Sequence, residues 1–353
     1  YSILPKVPRF WLLLAVSLAF YGSFNWKFLF LLVGVIATTY LGGLALHTWR
    51  SARWQLVAWV LAAMAPLLFY KYLIVWFDRL RLSVLPISDL KFGGYGEVLI
   101  PVGLSFFTFQ SLAYLIDVAR GYYEAERNPA KVGLFIAFFP QLLAGPIERW
   151  PHLAPQLFEG KRPTPDMVLD GLVLLAYGLF MKLVLGDSLG VYVDAVYAEP
   201  AKNASATAWL GIVGFTLQLY ADFCGYSLIA IGSALLFGIR VINNFKQPFF
   251  ARSIVEFWQR WHISLTRWIG DYVYRPLALR SIKLAWLPRH GQESITLLIT
   301  WVIMGLWHGA NWTFVVFGLA QAVLLFGYTV WSRKRRGNPA RARAVAGWAL
   351  TFA

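Results

Sequence analysis

Apolar runs recur along the chain near residues 10–24, 27–46, 54–77, 99–119, 131–147, 167–186, 207–239, 295–309 and 312–331. A helix crossing a bilayer needs about 20 mostly apolar residues, and most of these runs approach or exceed that. Lipid offers no water to exposed backbone N–H and C=O groups, so each run is expected to close its own hydrogen bonds as an α-helix. Composition agrees: 59% of the residues are hydrophobic and 14% charged, where soluble domains carry about 25% charged residues. The expected fold is all-α and polytopic, a multi-pass membrane protein with one integral-membrane domain over 1–353. The chain starts at Tyr1 and stops at Ala353 inside a fresh apolar stretch from Ala344, so both ends read as cuts through a longer protein.

The formal net charge of +15 brings nucleic acid into consideration. The basic residues, however, lie between apolar runs, where they set orientation, and no nucleic-acid-binding module is recognised. The expected partner is the bilayer, with no nucleic acid. Residues 333–343 carry six basic and no acidic side chains, 240–290 carry nine Lys/Arg against Glu256 and Asp271, and 47–53 carry Arg50 and Arg53. The positive-inside rule puts these three in the cytoplasm and leaves the more acidic 187–206 outside. The charges sort correctly only if 131–150 enters and leaves on one side, with a break at Gly145-Pro146. That segment is therefore expected to be re-entrant. A single cysteine, Cys224, excludes an intrachain disulfide and a two-cysteine metal or redox site.

The run 207–239 would make about 50 Å of helix, beyond the ~30 Å hydrocarbon thickness, so a kink or split near Gly225 is expected. Asp222 sits beside that point; an ionisable residue at membrane depth is a functional candidate, with capping or helix pairing as its equal alternative. The segment 255–269 is too polar to span. Phe257, Trp261, Leu265 and Trp268 share one helical stripe, and Arg260, Ser264 and Arg267 another. It reads as an amphipathic interfacial helix within a cytoplasmic or re-entrant segment 240–290.

The five histidines are His47, His152, His262, His290 and His308. His308 lies in GLWHGANW (305–312), at the end of a short apolar run. Ile295 to Gly309 rises about 22 Å, which leaves His308 inside the membrane slab. Burial there favours neutral imidazole, and a neutral ring offers the acceptor nitrogen of a general base. The commoner role for an isolated intramembrane histidine is a hydrogen bond across helices. Gly305, Gly309 and Ala310 leave room for substrate or a neighbouring backbone, and Asn311 shares a face with His308 if the helix continues. His262 and His308 lack metal-ligand spacing, so no metal is expected. No GxSxG elbow or P-loop occurs.

Five stretches, PVGLSFFTFQSLAYLIDVARG (101–121), FFPQLLAGPIERW (138–150), YADFCGYSLIAIG (220–232), FWQRWHISLTRWIGDYVYRPL (257–277) and GLWHGANWTF (305–314), stand in one order. In them the sequence resembles the membrane-bound O-acyltransferase (MBOAT) family, in its bacterial branch of alginate O-acetyltransferases and teichoic-acid D-alanyl transfer proteins. The resemblance implies a helical bundle with re-entrant and interfacial helices around a central funnel. It implies that His308 is catalytic, with His262 as its companion, and Asn311, Trp307, Gln141, Asp222 and Trp261 are candidates for substrate binding. It further implies a thioester donor, acetyl-CoA or an acyl carrier's phosphopantetheine, with no covalently bound cofactor. The acceptor is an envelope polysaccharide or an extracytoplasmic acyl-accepting partner protein, and the location the cytoplasmic (inner) membrane. GYSLIAIG and NNFKQPF (243–249) lean toward D-alanyl transfer, RWHISL and GLWHGANW toward acetyl transfer, and Pro276-Leu277-Ala278-Leu279 replaces the family's common PLGG turn. Acetyl transfer is the leading expectation and D-alanyl transfer the alternative. The opposing class is a transporter or flippase without acyl chemistry, marked by paired intramembrane charges; Lys182, Asp222 and His308 are the residues available to it.

Overall fold

The computed structural model describes residues 4–48, 53–73, 101–284, 286–334 and 351. Among them every regular element is helical. The order is α1 (Lys6–Phe24), α2 (Trp26–Thr48), α3 (Arg53–Leu68) with a π-helical turn Phe69–Leu73, α4 (Leu104–Ala119), α5 (Pro129–Ala137), α6 (Phe139–Leu142), α7 (Trp150–Glu159), α8 (Pro165–Leu179), a π-helical run Phe180–Gly186 and α9 (Asp187–Ala198). Then come α10 (Ser205–Leu235), α11 (Ile254–Arg260), α12 (Ile263–Ile269), a π-helical turn Gly270–Tyr274, α13 (Arg275–Ser281), α14 (Arg289–His308) and α15 (Trp312–Lys334). Among the described residues six stretches are long and apolar enough to cross a membrane: Lys6–Phe24, Trp26–Thr48, Arg53–Leu73, Pro165–Ala198, Ser205–Leu235 and Trp312–Ser332. The loop arginine Arg50, most of the basic stretch 333–343 and nearly all of 344–353 lie outside the described residues.

The chain divides into two compact units, residues 1–64 with 102–243 and residues 65–101 with 244–353. In the first, α4 is the core. It buries twelve residues, apolar ones such as Leu104, Phe107, Leu112, Leu115 and Val118 and the polar Thr108, Gln110, Ser111 and Asp117, as expected of a helix enclosed by others. The run 131–147 is not one helix. Phe138 interrupts it between the nine-residue α5 and the four-residue α6. At about 1.5 Å per residue neither piece reaches across ~30 Å of hydrocarbon. Gln141 fastens the break: its Nε2 donates to Gln110 Oε1 at 3.1 Å and to the Phe135 carbonyl at 3.4 Å.

Helix α10 corrects an expectation. It is one continuous α-helix of 31 residues, unbroken at Gly225. Gly225 has a different use: a Cβ there would stand 2.8 Å from the Gly178 carbonyl oxygen, and one at Gly178 would stand 2.8 Å from the Gly225 carbonyl oxygen. Small residues let the two backbones approach as membrane helices do, and this contact lies inside the unbroken α10. Near the middle of the pair, Lys182 Nζ lies 2.6 Å from Asp222 and 2.5 Å from Asp187. This ion cluster accounts for Asp222 as a helix-pairing residue, the alternative reading above.

Glu148, in the GPIERW stretch, is fully buried. It accepts from the Ile242 N–H at 2.6 Å and bonds His152 Nδ1 at 2.8 Å, so one carboxylate ties α7 to the strand-like segment after α10. That hydrogen bond raises the basicity of His152. Glu148→Ala leaves the half-buried Ile242 N–H without its acceptor, and about 1–3 kcal/mol of stability is expected to go with it. A lowered thermal midpoint of the detergent-solubilised protein is the readout; an unchanged midpoint would show the tie to be dispensable.

In the second unit the segment 255–269 is also corrected. It is two seven-residue helices, α11 and α12, broken at Trp261-His262. His262 adopts φ 43, ψ 53, the left-handed region. Histidine enters that region more readily than most side chains, but a single residue there ends α11. The break turns the stripe: Trp258 is the buried tryptophan of α11, with Nε1 donating to Gln321 at 3.1 Å and its ring 4.6 Å from Trp301.

Candidate active site

The site is built on the hairpin α14–α15, joined by Gly309, Ala310 and Asn311. A Cβ at Gly305 would run into the Phe314 carbonyl, and one at Gly318 into the Trp301 carbonyl. The hairpin closes only because both positions lack a side chain, so the room at Gly305 is taken by neighbouring backbone. Helix α14 also starts earlier than its apolar part suggests, at Arg289, and runs 20 residues. That is about 30 Å, and His308 is its last residue.

Gly309 is extended, at φ 173 and ψ 172, so the helix stops at His308. Asn311 consequently lies in the exposed link and not on a helical face with His308, which corrects that expectation. The His308 ring stacks at 18° on Phe314 with centroids 5.8 Å apart, meets Phe317 edge-on at 5.6 Å, and lies 4.6 Å from Trp307. Three aromatic rings hold it, yet the residue is exposed. Its orientation is fixed by these rings, and part of its surface is left uncovered by the protein.

His262 is the opposite case, 3% exposed. The local fold explains why. Asn244, fully buried, accepts at Oδ1 from the Ser264 N–H at 3.2 Å and the Ser264 hydroxyl at 2.7 Å. Its carbonyl accepts from the Ile263 N–H at 2.9 Å. These bonds pin the start of α12 and with it the left-handed residue. Burial, helped by the nearby His308 ring, pushes the His262 imidazole down to about 3, so it is neutral at ordinary pH. Its ring lies parallel to Trp307, 16° and 6.3 Å apart. Trp307 thus stands against both histidines. Trp261 belongs to another cluster, stacked on Phe257 at 5.6 Å and edge-on to Phe245 at 5.1 Å.

Two further residues were missed in the sequence. Lys71 Nζ, on the π-helical turn after α3, donates to the Trp307 carbonyl and sits 5.0 Å above the Trp307 ring. The Tyr72 hydroxyl donates to the Leu306 carbonyl. Both cap carbonyls in the last turn of α14, and the Leu306 carbonyl also accepts from the Gly309 N–H at 3.1 Å. The available signal was a lone cation inside the apolar run 54–77. Of the other candidates, Gln141 and Asp222 belong to the first unit and have the partners described above.

A profile of the membrane-bound O-acyltransferase family matches residues 127–353, which hold both histidines and the α14–α15 hairpin. The chain belongs to the membrane-bound O-acyltransferase family. It is 36% identical to "Probable alginate O-acetylase AlgI" of Azotobacter vinelandii over 90% of this chain and 63% of that protein. It is 31% identical to the peptidoglycan O-acetyltransferase of Helicobacter pylori, over 100% of this chain and 70% of that protein. With the teichoic acid D-alanyltransferase of Bacillus subtilis it shares 28% identity over 71% of this chain and 65% of the other. The chain thus spans 63% of the length of the Azotobacter relative. Family and spans together make it a multi-pass membrane protein.

Proposed function

We propose that the protein moves an acyl group, acetyl in the leading reading, from a cytoplasmic thioester to hydroxyls of a cell-envelope polysaccharide. The carrying observation is a histidine whose ring is fixed by Trp307, Phe314 and Phe317 and is still exposed. An accessible neutral imidazole at a set angle is what a general base needs. In the step proposed, His308 removes the proton of the attacking hydroxyl, whose oxygen bonds to the thioester carbonyl carbon. The C–S bond then breaks, and the leaving thiolate takes the proton back from the imidazolium. The donor is acetyl-CoA or an acyl carrier's phosphopantetheine. An extracytoplasmic protein partner receives the group where transfer is relayed, and the membrane is the inner one.

His262 is too buried to meet substrate and acts through Trp307, holding its indole and so the turn that carries His308. Trp307 and Asn311 border the exposed edge of that turn and are the candidates for substrate contact. D-alanyl transfer is the second reading, favoured by GYSLIAIG at 225–232. Acetyl leads because the two acetyl-transferring relatives are 36% and 31% identical against 28% for the D-alanyl one.

Mass spectrometry of the envelope polymer from cells with and without the protein tests both. O-acetyl groups that appear only with the protein are the expected result. D-alanyl esters in their place would move the reading to the second branch, and an unmodified polymer in both would favour a transporter.

A further inference from the structure

His308 ends a 20-residue helix. The carbonyl end of a helix carries partial negative charge and favours a cation within its last turn. That end pulls His308 toward imidazolium, the form that cannot accept a proton, while burial of the ring pulls it the other way, toward the neutral form. On the same carbonyls the structure places a second cation: Lys71 Nζ on the Trp307 carbonyl and 5.0 Å over the Trp307 ring. Trp307 is in turn 4.6 Å from the His308 ring. Two positive charges at one helix end repel, so a charged Lys71 there disfavours imidazolium at His308.

We infer that Lys71 is a positioning residue that occupies the cation site at the end of α14 and so holds His308 in its neutral, proton-accepting form. This rests on the reading of His308 as the base. The other groups that face this turn support the assignment. Tyr72 donates a neutral hydrogen bond to the Leu306 carbonyl, His262 is neutral, and α15 presents Phe314 and Phe317. Other elements packed on α14 carry Glu256 and Arg260, which pair at 2.6 Å, and Asp271, Arg275 and Arg280, of which Asp271 and Arg275 pair at 3.2 Å. Helix α14 itself carries Arg289, His290 and Glu293 near its opposite end.

The test reads His308 directly and needs no acyl transfer. Diethylpyrocarbonate carbethoxylates neutral imidazole only, and the exposed His308 is within its reach. Its rate of modification, followed by peptide mass spectrometry across pH in the full-length membrane protein, gives a midpoint. Lys71→Met removes charge and hydrogen bond; Lys71→Gln removes charge and keeps a donor for the Trp307 carbonyl. In both, the midpoint is expected to rise by about one pH unit or more, a tenfold loss of reactive ring below it for each unit. Lys71→Arg keeps the charge and the wild-type midpoint. If one neutral variant fails to insert, the other decides. An unchanged midpoint in a folded neutral variant overturns the role of Lys71 and leaves the base reading intact. Full acyl transfer by a His308 variant would overturn the base reading and leave the measured midpoints standing.

Discussion

Replacing His308 with alanine is expected to lower acyl transfer about a thousandfold while the protein reaches the membrane in wild-type amount. A positioned general base contributes about 10²–10⁴ in rate. The side chain sits at the exposed end of α14 and touches Trp307, Phe314 and Phe317. Its removal opens space that solvent or lipid already reaches, so the loss of stability stays small compared with the loss of rate. The comparison is labelled acetyl incorporated into envelope polymer by membranes that hold equal amounts of wild type and His308→Ala. Comparable incorporation by both would remove His308 from the chemistry.

Gly305→Leu is expected to abolish transfer by the other route, through the fold. A side chain there meets the Phe314 carbonyl and, 3.3 Å away, the Gly318 amide nitrogen. Both are backbone atoms in a helix and cannot swing aside, so α14 and α15 must separate. Separation takes apart the ring cluster around His308 and the packing between the helices. Overpacking of this kind belongs among the most damaging substitutions, about 4 kcal/mol or more. The expected result is loss of the monodisperse species on size exclusion in detergent. Gly327→Leu on α15 is the control, because a Cβ there meets nothing within 4 Å. If Gly305→Leu is as monodisperse and as active as that control, the close approach is not what positions the site. Set beside His308→Ala, the pair separates a lost reacting group from a lost scaffold.

The spanning helices were legible because the bilayer imposes one rule on every segment that enters it. An apolar run must be a helix, and the runs at 10–24, 27–46 and 312–331 fall within α1, α2 and α15. Breaks were less legible, since they depend on tertiary contact. Length argued for a split at Gly225, but the partner glycine at 178 made that position a contact in an unbroken helix. The period of 255–269 argued for one helix, but Asn244, ten or more residues away in the chain, pins His262 in a left-handed turn. No periodicity within the segment contains that bond. Lys71 escaped for the same reason: its partner carbonyl is 236 residues distant. The candidate histidines were legible from the motifs in which they stand. Their unequal burial was not, because it follows from packing: Asn244 pins the buried turn at His262, whereas His308 is the last residue of α14.

The most direct measurement is the position of a non-transferable donor analogue, acetonyl-CoA, in a cryo-electron microscopy map of the full-length protein. The proposed chemistry requires the carbonyl carbon of the analogue to lie beside the exposed edge of His308, leaving space for a hydroxyl within about 2.6–3.2 Å of a ring nitrogen. An analogue bound with its carbonyl away from the turn Trp307–Asn311 would contradict it.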